Sequence, residues 1–271
     1  MPAVNPERLR QQVEDLLTLL GDQVALKRQC LDLLDYYADH TRRSIASGGV
    51  KYTEGVFGVP RPVVRALSHG LLSRTQQKPA LMLPTATSLW EAGYRETRLL
   101  ASAILGGIQQ LEVAQWAEAR ASNCDDSVVL MALASQGLAG LREAEPAAFL
   151  ERVSGWLGST HRWLRLFALM ALHAAVENPT FEDLPTVFRL LSGVSEKARG
   201  ESRQVLYKLL DTLTRRSPPE SARFLLDELA RKVPGIQRMI RASLGNFPAR
   251  QQELLKHALS VKKRTGIIPP S

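Results

Sequence analysis

Arginine is the residue type whose spacing carries the most chemistry in this chain. Arg165, Arg203 and Arg241 lie 38 and 38 residues apart, and Arg162, Arg199 and Arg238 lie 37 and 39 apart. A guanidinium is a rigid fork of N–H donors that matches a phosphate bidentately, and only nine of the 35 basic residues are lysine. One step earlier the same spacing reaches Ser127, beside the carboxylate pair Asp125 and Asp126. A row of arginine pairs that starts at two carboxylates is therefore the candidate site. Little else in the chain suggests chemistry. His40, His69, His161, His173 and His257 show no ligand spacing, no glycine-rich phosphate loop is present, and no serine sits in a nucleophile elbow. Neither a metal nor a nucleotide cofactor is expected.

The elements that must position these residues are helices. Leu and Ala dominate, aromatic residues are only 6%, and no stretch alternates Val, Ile and Thr as a strand would. Residues 160–176 read as one helix that is apolar almost all the way round, so it must be sandwiched between neighbours. Its polar strip is Arg162, Arg165 and His173. The two arginines fall in its first turns, where the helix dipole disfavours a cation by up to roughly 1 kcal/mol, so something must offset them. Earlier helices are expected over 6–20 and 23–45, from Pro60 or Pro62 onward, up to about Glu91, and over 94–105. From there a period emerges. First helices begin near Leu111, Pro146, Phe181 and Pro218, separated by 35, 35 and 37 residues. Second helices follow at 125–138, 160–176, 196–216 and 235–246. Paired helices at this period predict an all-α, HEAT-like α-solenoid, with an unordered helical bundle as the alternative. In a solenoid the second helices usually line the concave face, so the arginine pairs would form a basic track there, near helix N-termini. The competing reading is a ladder in which each arginine pairs with an acid of the next repeat, such as Glu201 or Asp211.

Bulk properties agree. The chain has 271 residues and a net charge of +8, but the charge is uneven. Residues 1–150 hold 15 basic against 16 acidic side chains, and residues 151–271 hold 20 against 11. Such an excess points to an anionic partner or to a solvated basic face. Cys30 and Cys124 are too few for a disulfide framework. The N-terminus turns amphipathic at once, and no apolar run approaches the length of a membrane span. The expectation is a cytoplasmic monomer without membrane contact: one repeat domain over 1–260, then a basic tail over 261–271.

Two segments resemble the AlkD-like DNA alkylation repair proteins, HEAT-like solenoids that excise cationic alkylated purines. One is residues 55–60, GVFGVP, leading into Val63-Val64-Arg65-Ala66-Leu67. The other is residues 89–96, LWEAGYRE, leading into Arg98-Leu99-Leu100-Ala101. Looser similarity follows at Trp116, Asn123-Cys124-Asp125, Trp163-Leu164-Arg165 and Lys197-Ala198-Arg199-Gly200, so the resemblance covers roughly residues 50–210. The departures concern chemistry. The family's catalytic region resembles Trp-Asp-x-x-Asp, whose last carboxylate would stabilise the positive charge that builds up as an N-glycosidic bond breaks. Laid on this chain, that position falls on Val128 or Val129, and Cys124 or Asp125 replaces the aromatic. The paired arginines of Trp-Leu-Arg-Arg become Arg165 and Leu166, and a further expected aromatic is Glu201. Without stacking aromatics the cleft loses cation–π recognition of a charged base.

The sequence therefore reads as a solenoid that binds duplex or structured DNA through phosphate contacts at Arg162, Arg165, Arg199, Arg203, Arg238 and Arg241, with weak or no glycosylase activity. Two alternatives stay open: an active alkylpurine glycosylase working through Asp125 or Asp126, and a scaffold for an acidic protein partner.

Overall fold

Helix ends are written into the chain as caps. In the computed structural model, which describes residues 4–39 and 55–265, the Asn5 side chain accepts from the N–H groups of Glu7 and Arg8 at 3.0 and 3.1 Å and opens α1, Pro6–Leu17. Asp22 does the same for Val24 and Ala25 at the start of α2, Gln23–Tyr36. Each cap satisfies N–H groups that have no partner inside the helix. A 3-10 turn, Pro79–Leu81, joins α3 (Arg61–Gln76) to α4 (Met82–Glu91). Then follow α5 (Arg95–Leu105), α6 (Glu112–Ala121) and α7 (Ser127–Ala132), which runs through a π-turn, Leu133–Gly137, into α8 (Ala139–Ala144). The chain continues with α9 (Pro146–Gly158), α10 (Arg162–Glu177), α11 (Leu184–Leu191), α12 (Val194–Lys197), α13 (Glu201–Arg216), α14 (Pro218–Ala230), α15 (Ile236–Ser243) and α16 (Ala249–Thr265). The fold is all-α, and no named strand occurs among the described residues.

The helices pack as two compact units, Met1–Arg152 and Val153–Ser271. In the first, α1, α3, α5 and α7 with its π-turn form one row, and α2 packs on α4 in the other. In the second, α10 packs on α13 and α13 on α15, while α14 lies against α13 and α16. Two rows of helices, each touching the next along the chain, are what a helical repeat produces when every pair buries its apolar face on its neighbours. The cores are aliphatic: Leu16, Leu67, Leu100 and Ile104 are fully buried in the first unit, and Phe167, Leu172, Leu209 and Leu213 in the second. Helix α10 is the most enclosed, buried from Leu166 through Val176. No described helix is long and apolar enough to cross a membrane.

Most expected boundaries lie within a few residues of those observed, with two differences near the site. The helix expected over 196–216 is interrupted: α12 is a single turn, and α13 starts only at Glu201, after Gly200 at φ 51°. A residue with a Cβ is strained at that φ, so Arg199 lies in a connector and not in a helical first turn. The helix expected over 125–138 loosens at Leu133–Gly137. There the backbones are close enough that a Cβ on Gly106 would sit 2.5 Å from the Gln136 carbonyl oxygen. Helix α16 reaches Thr265, so the expected tail is helical over its first residues. The end of the helix expected over 23–45, the loop at Ser47-Gly48-Gly49 and Tyr52, His40, and the last residues of the tail lie outside the described residues.

Candidate nucleic-acid interface

The carboxylate pair sits where the chain enters α7. Asp126 is 1% exposed and is the N-cap of that helix, accepting from the N–H groups of Val128 at 2.9 Å and Val129 at 3.4 Å. Its other oxygen takes the Arg95 Nε–H of α5 at 2.5 Å in an ion pair. Both oxygens are thus committed to holding α7 on α5. Asp125 is half-buried, and Val128, one residue into α7, is 52% exposed. Cys124, next to Asp125 in the chain, is buried, and burial raises its thiol pKa, so it stays protonated and unreactive.

The same helix junction explains the two segments that resembled a known family. Glu96, 4% exposed, accepts from the N–H groups of Phe57 at 3.0 Å, Gly58 at 2.8 Å and Val59 at 3.4 Å. The Arg95 N–H donates to the Gly55 carbonyl at 2.9 Å, and the Phe57 and Tyr94 rings stack 4.4 Å apart. A Cβ on Gly55 would fall 2.7 Å from the Tyr94 ring, so that position must be glycine. These residues build the scaffold, with a buried carboxylate paid in full by backbone donors.

The six arginines lie in the second unit. Arg162, at the first position of α10, stacks on the Trp163 ring with its guanidinium carbon 3.9 Å from the centroid. The Arg165 Nη1 donates to the Ser159 and Thr160 carbonyls at 2.7 and 2.8 Å. The Arg199 Nη1 donates to the Glu196 and Ala198 carbonyls at 2.7 and 2.9 Å, and the Arg203 Nη2 reaches the same Ala198 oxygen at 3.4 Å. Arg238 and Arg241 project from the exposed side of α15, opposite buried Met239 and Ile240. Among the described residues, no carboxylate forms an ion pair with any of the six. Asp211, a candidate rung of the alternative ladder, pairs with Arg215 in its own helix at 3.3 Å. Carbonyls and an indole orient the guanidiniums of Arg162, Arg165, Arg199 and Arg203 without neutralising them.

Arg162, Arg165 and Arg199 meet at a cavity of about 780 Å³ that also takes in Trp163 and Glu201. Arg203, Arg238 and Arg241 do not line it. The cavity has a further arginine, Arg189 of α11, which the spacing analysis missed because it lies on a first helix and outside the second-helix periodicity. It also has a buttress that left no sequence signal. Glu228 of α14 is fully buried, accepts from the Ser192 hydroxyl at 3.1 Å and the Gly193 N–H at 3.3 Å, and pairs with Arg231 at 3.2 Å. It fixes the turn between α11 and α12 that forms one wall.

The profile of the DNA alkylation repair enzyme family matches residues 31–237, most of the chain. The chain belongs to that family. No curated protein and no solved structure matches it. The family span extends on both sides of the segments that first suggested it. It takes in Asp125, Asp126, Arg162, Arg165, Arg199 and Arg203, and it ends just before Arg238 and Arg241. Val128, at the head of α7, is exposed, Val129 beside it is buried, and Glu201 stands on the cavity wall.

Proposed function

We propose that this member of the DNA alkylation repair family binds duplex or structured DNA as a monomer, through phosphate contacts on the second-helix side of residues 153–271, with little or no base excision. The observation that carries the reading is the set of six arginines with no carboxylate partner among the described residues. Guanidiniums without a carboxylate partner keep their full charge for an anionic ligand, with which they form charge-assisted, bidentate hydrogen bonds. Phosphate contacts position a duplex and carry little sequence information, which suits arginines supplied by successive repeats.

The weak-excision half rests on what stands near α7. Asp126 is occupied by its cap and by Arg95, and valines follow it. An active glycosylase would work through Asp125, and its half-buried place beside exposed Val128 is what favours that second reading. A base-release assay separates the two. Purified protein incubated with alkylated duplex should retain DNA in an anisotropy assay while freeing little 3-methyladenine or 7-methylguanine. Robust release that is lost in Asp125→Asn would establish the glycosylase instead. A scaffold for an acidic partner would hold an acidic peptide and ignore DNA in the same assay.

A further inference from the structure

The cavity in the second unit concentrates positive charge. Its lining has four guanidiniums, those of Arg162, Arg165, Arg189 and Arg199, against the carboxylates of Glu196 and Glu201. Among the described side chains the balance is two positive charges within about 780 Å³. Every arginine there is oriented by a neutral group: the Trp163 ring, backbone carbonyls, or, for Arg189, the Thr186 hydroxyl at 3.4 Å. Stacking of Arg162 on the indole fixes the guanidinium plane and leaves its N–H edge available in that plane. The turn that bears Ser192 and Gly193 is held by buried Glu228, so this wall does not depend on a ligand for its shape. Such a site is preorganised for a compact anion of more than one charge. An internal phosphodiester carries a single charge, whereas a phosphomonoester carries about −1.5 to −2 at pH 7 and presents three acceptor oxygens.

We propose that this cavity is a phosphomonoester site, and that its occupant is the terminal phosphate of a nicked or broken DNA strand. This rests on the DNA reading above and adds to it. Arg238 and Arg241, outside the cavity, hold the adjoining duplex, while Arg189, outside the arginine track, adds its charge to those that meet the terminal phosphate.

The test uses the full-length protein and DNA dumbbells closed at both ends: one intact, one with a nick flanked by two hydroxyls, and two with a phosphate on the 5′ or the 3′ side of the nick. A phosphorylated nick should bind on the order of tenfold tighter than the dihydroxyl nick, the effect expected of charge-assisted hydrogen bonds to the extra charge. That preference should fade between about pH 7 and pH 5, where the monoester gains a proton with a pKa near about 6. Arg189→Ala, a change at an exposed side chain, should cost the phosphorylated nick on the order of tenfold in affinity, more than it costs the intact dumbbell, and so remove the preference. Arg238→Ala should weaken every dumbbell alike and keep the preference. Inorganic phosphate and thymidine monophosphate are the free probes. Displacement of only the phosphorylated nick by either would support the monoester site. Displacement without any preference among the nicks would assign the cavity to free phosphate and overturn the DNA-end proposal. Equal binding of all nicks, with the intact dumbbell still bound and no effect of the free probes, overturns the inference and leaves the DNA reading standing. Failure to bind any dumbbell at low salt overturns the DNA reading itself.

Discussion

Arg165 and Asp126 show how a charged side chain declares its role through its partners. Arg165 has two carbonyls and, among the described residues, no carboxylate, so its charge is oriented and left available. Asp126 has an arginine and two backbone N–H groups, so its charge is consumed by the fold. Their identities were legible in the sequence, but their partners were not, because Arg95 meets Asp126 only once α5 and α7 pack. Asp126→Ala should destabilise the first unit by about 3 kcal/mol, from the lost cap and the lost ion pair with Arg95. Thermal or urea unfolding measures it. A variant as stable as wild type would mean that Asp126 is retained for something other than structure.

At the scale of elements, apolar periodicity was sufficient to place α14 and α15, because each shows one clear face to its neighbours, and α10 was legible as a helix apolar almost all the way round. It could not place the breaks. The π-turn at Leu133–Gly137 depends on the close approach of Gly106 and Gly140 to neighbouring backbone, and Arg142, 8% exposed, donates to the Ser135 carbonyl inside that turn at 3.2 Å. The connector before α13 depends on Gly200. His173 was read as part of a polar strip, yet it is 8% exposed between α10 and α13, with Thr212 Oγ1 at 3.4 Å and Glu177 at 3.6 Å. Burial lowers its pKa, Glu177 and Asp211 oppose that shift, and Lys208 and Arg215 add to it. A histidine whose folded pKa lies below its unfolded value takes up its proton first in the unfolded chain. Stability therefore falls as pH drops below the ordinary histidine value of about 6.5 and levels off below the folded pKa. His173→Gln should flatten that part of a melting temperature against pH curve. An unchanged curve would show that the α10–α13 contact does not sense this proton.

For the whole molecule, the charge asymmetry and the packing share a boundary. The sequence balance steps up after residue 150, and the second unit begins at Val153. Glu151 and Arg152 cancel, so that unit keeps the entire excess. Fold class and family were legible over most of the chain because repeat periodicity and the segments at 55–60 and 89–96 are local in sequence. The cavity was only partly legible. Arg162, Arg165 and Arg199 share a spacing, but Arg189 and the Glu228 buttress enter from other elements. The central claim is that the arginines of this unit meet phosphates, and the salt dependence of duplex binding tests it most directly. If most of the six are engaged, the logarithm of affinity against the logarithm of salt should slope at roughly −4 to −5, at about 0.9 per phosphate neutralised. The triple change Arg165→Glu, Arg203→Glu and Arg241→Glu should abolish binding and leave the helical circular dichroism intact. A slope near zero, or a triple variant that binds duplex like wild type, would contradict the account.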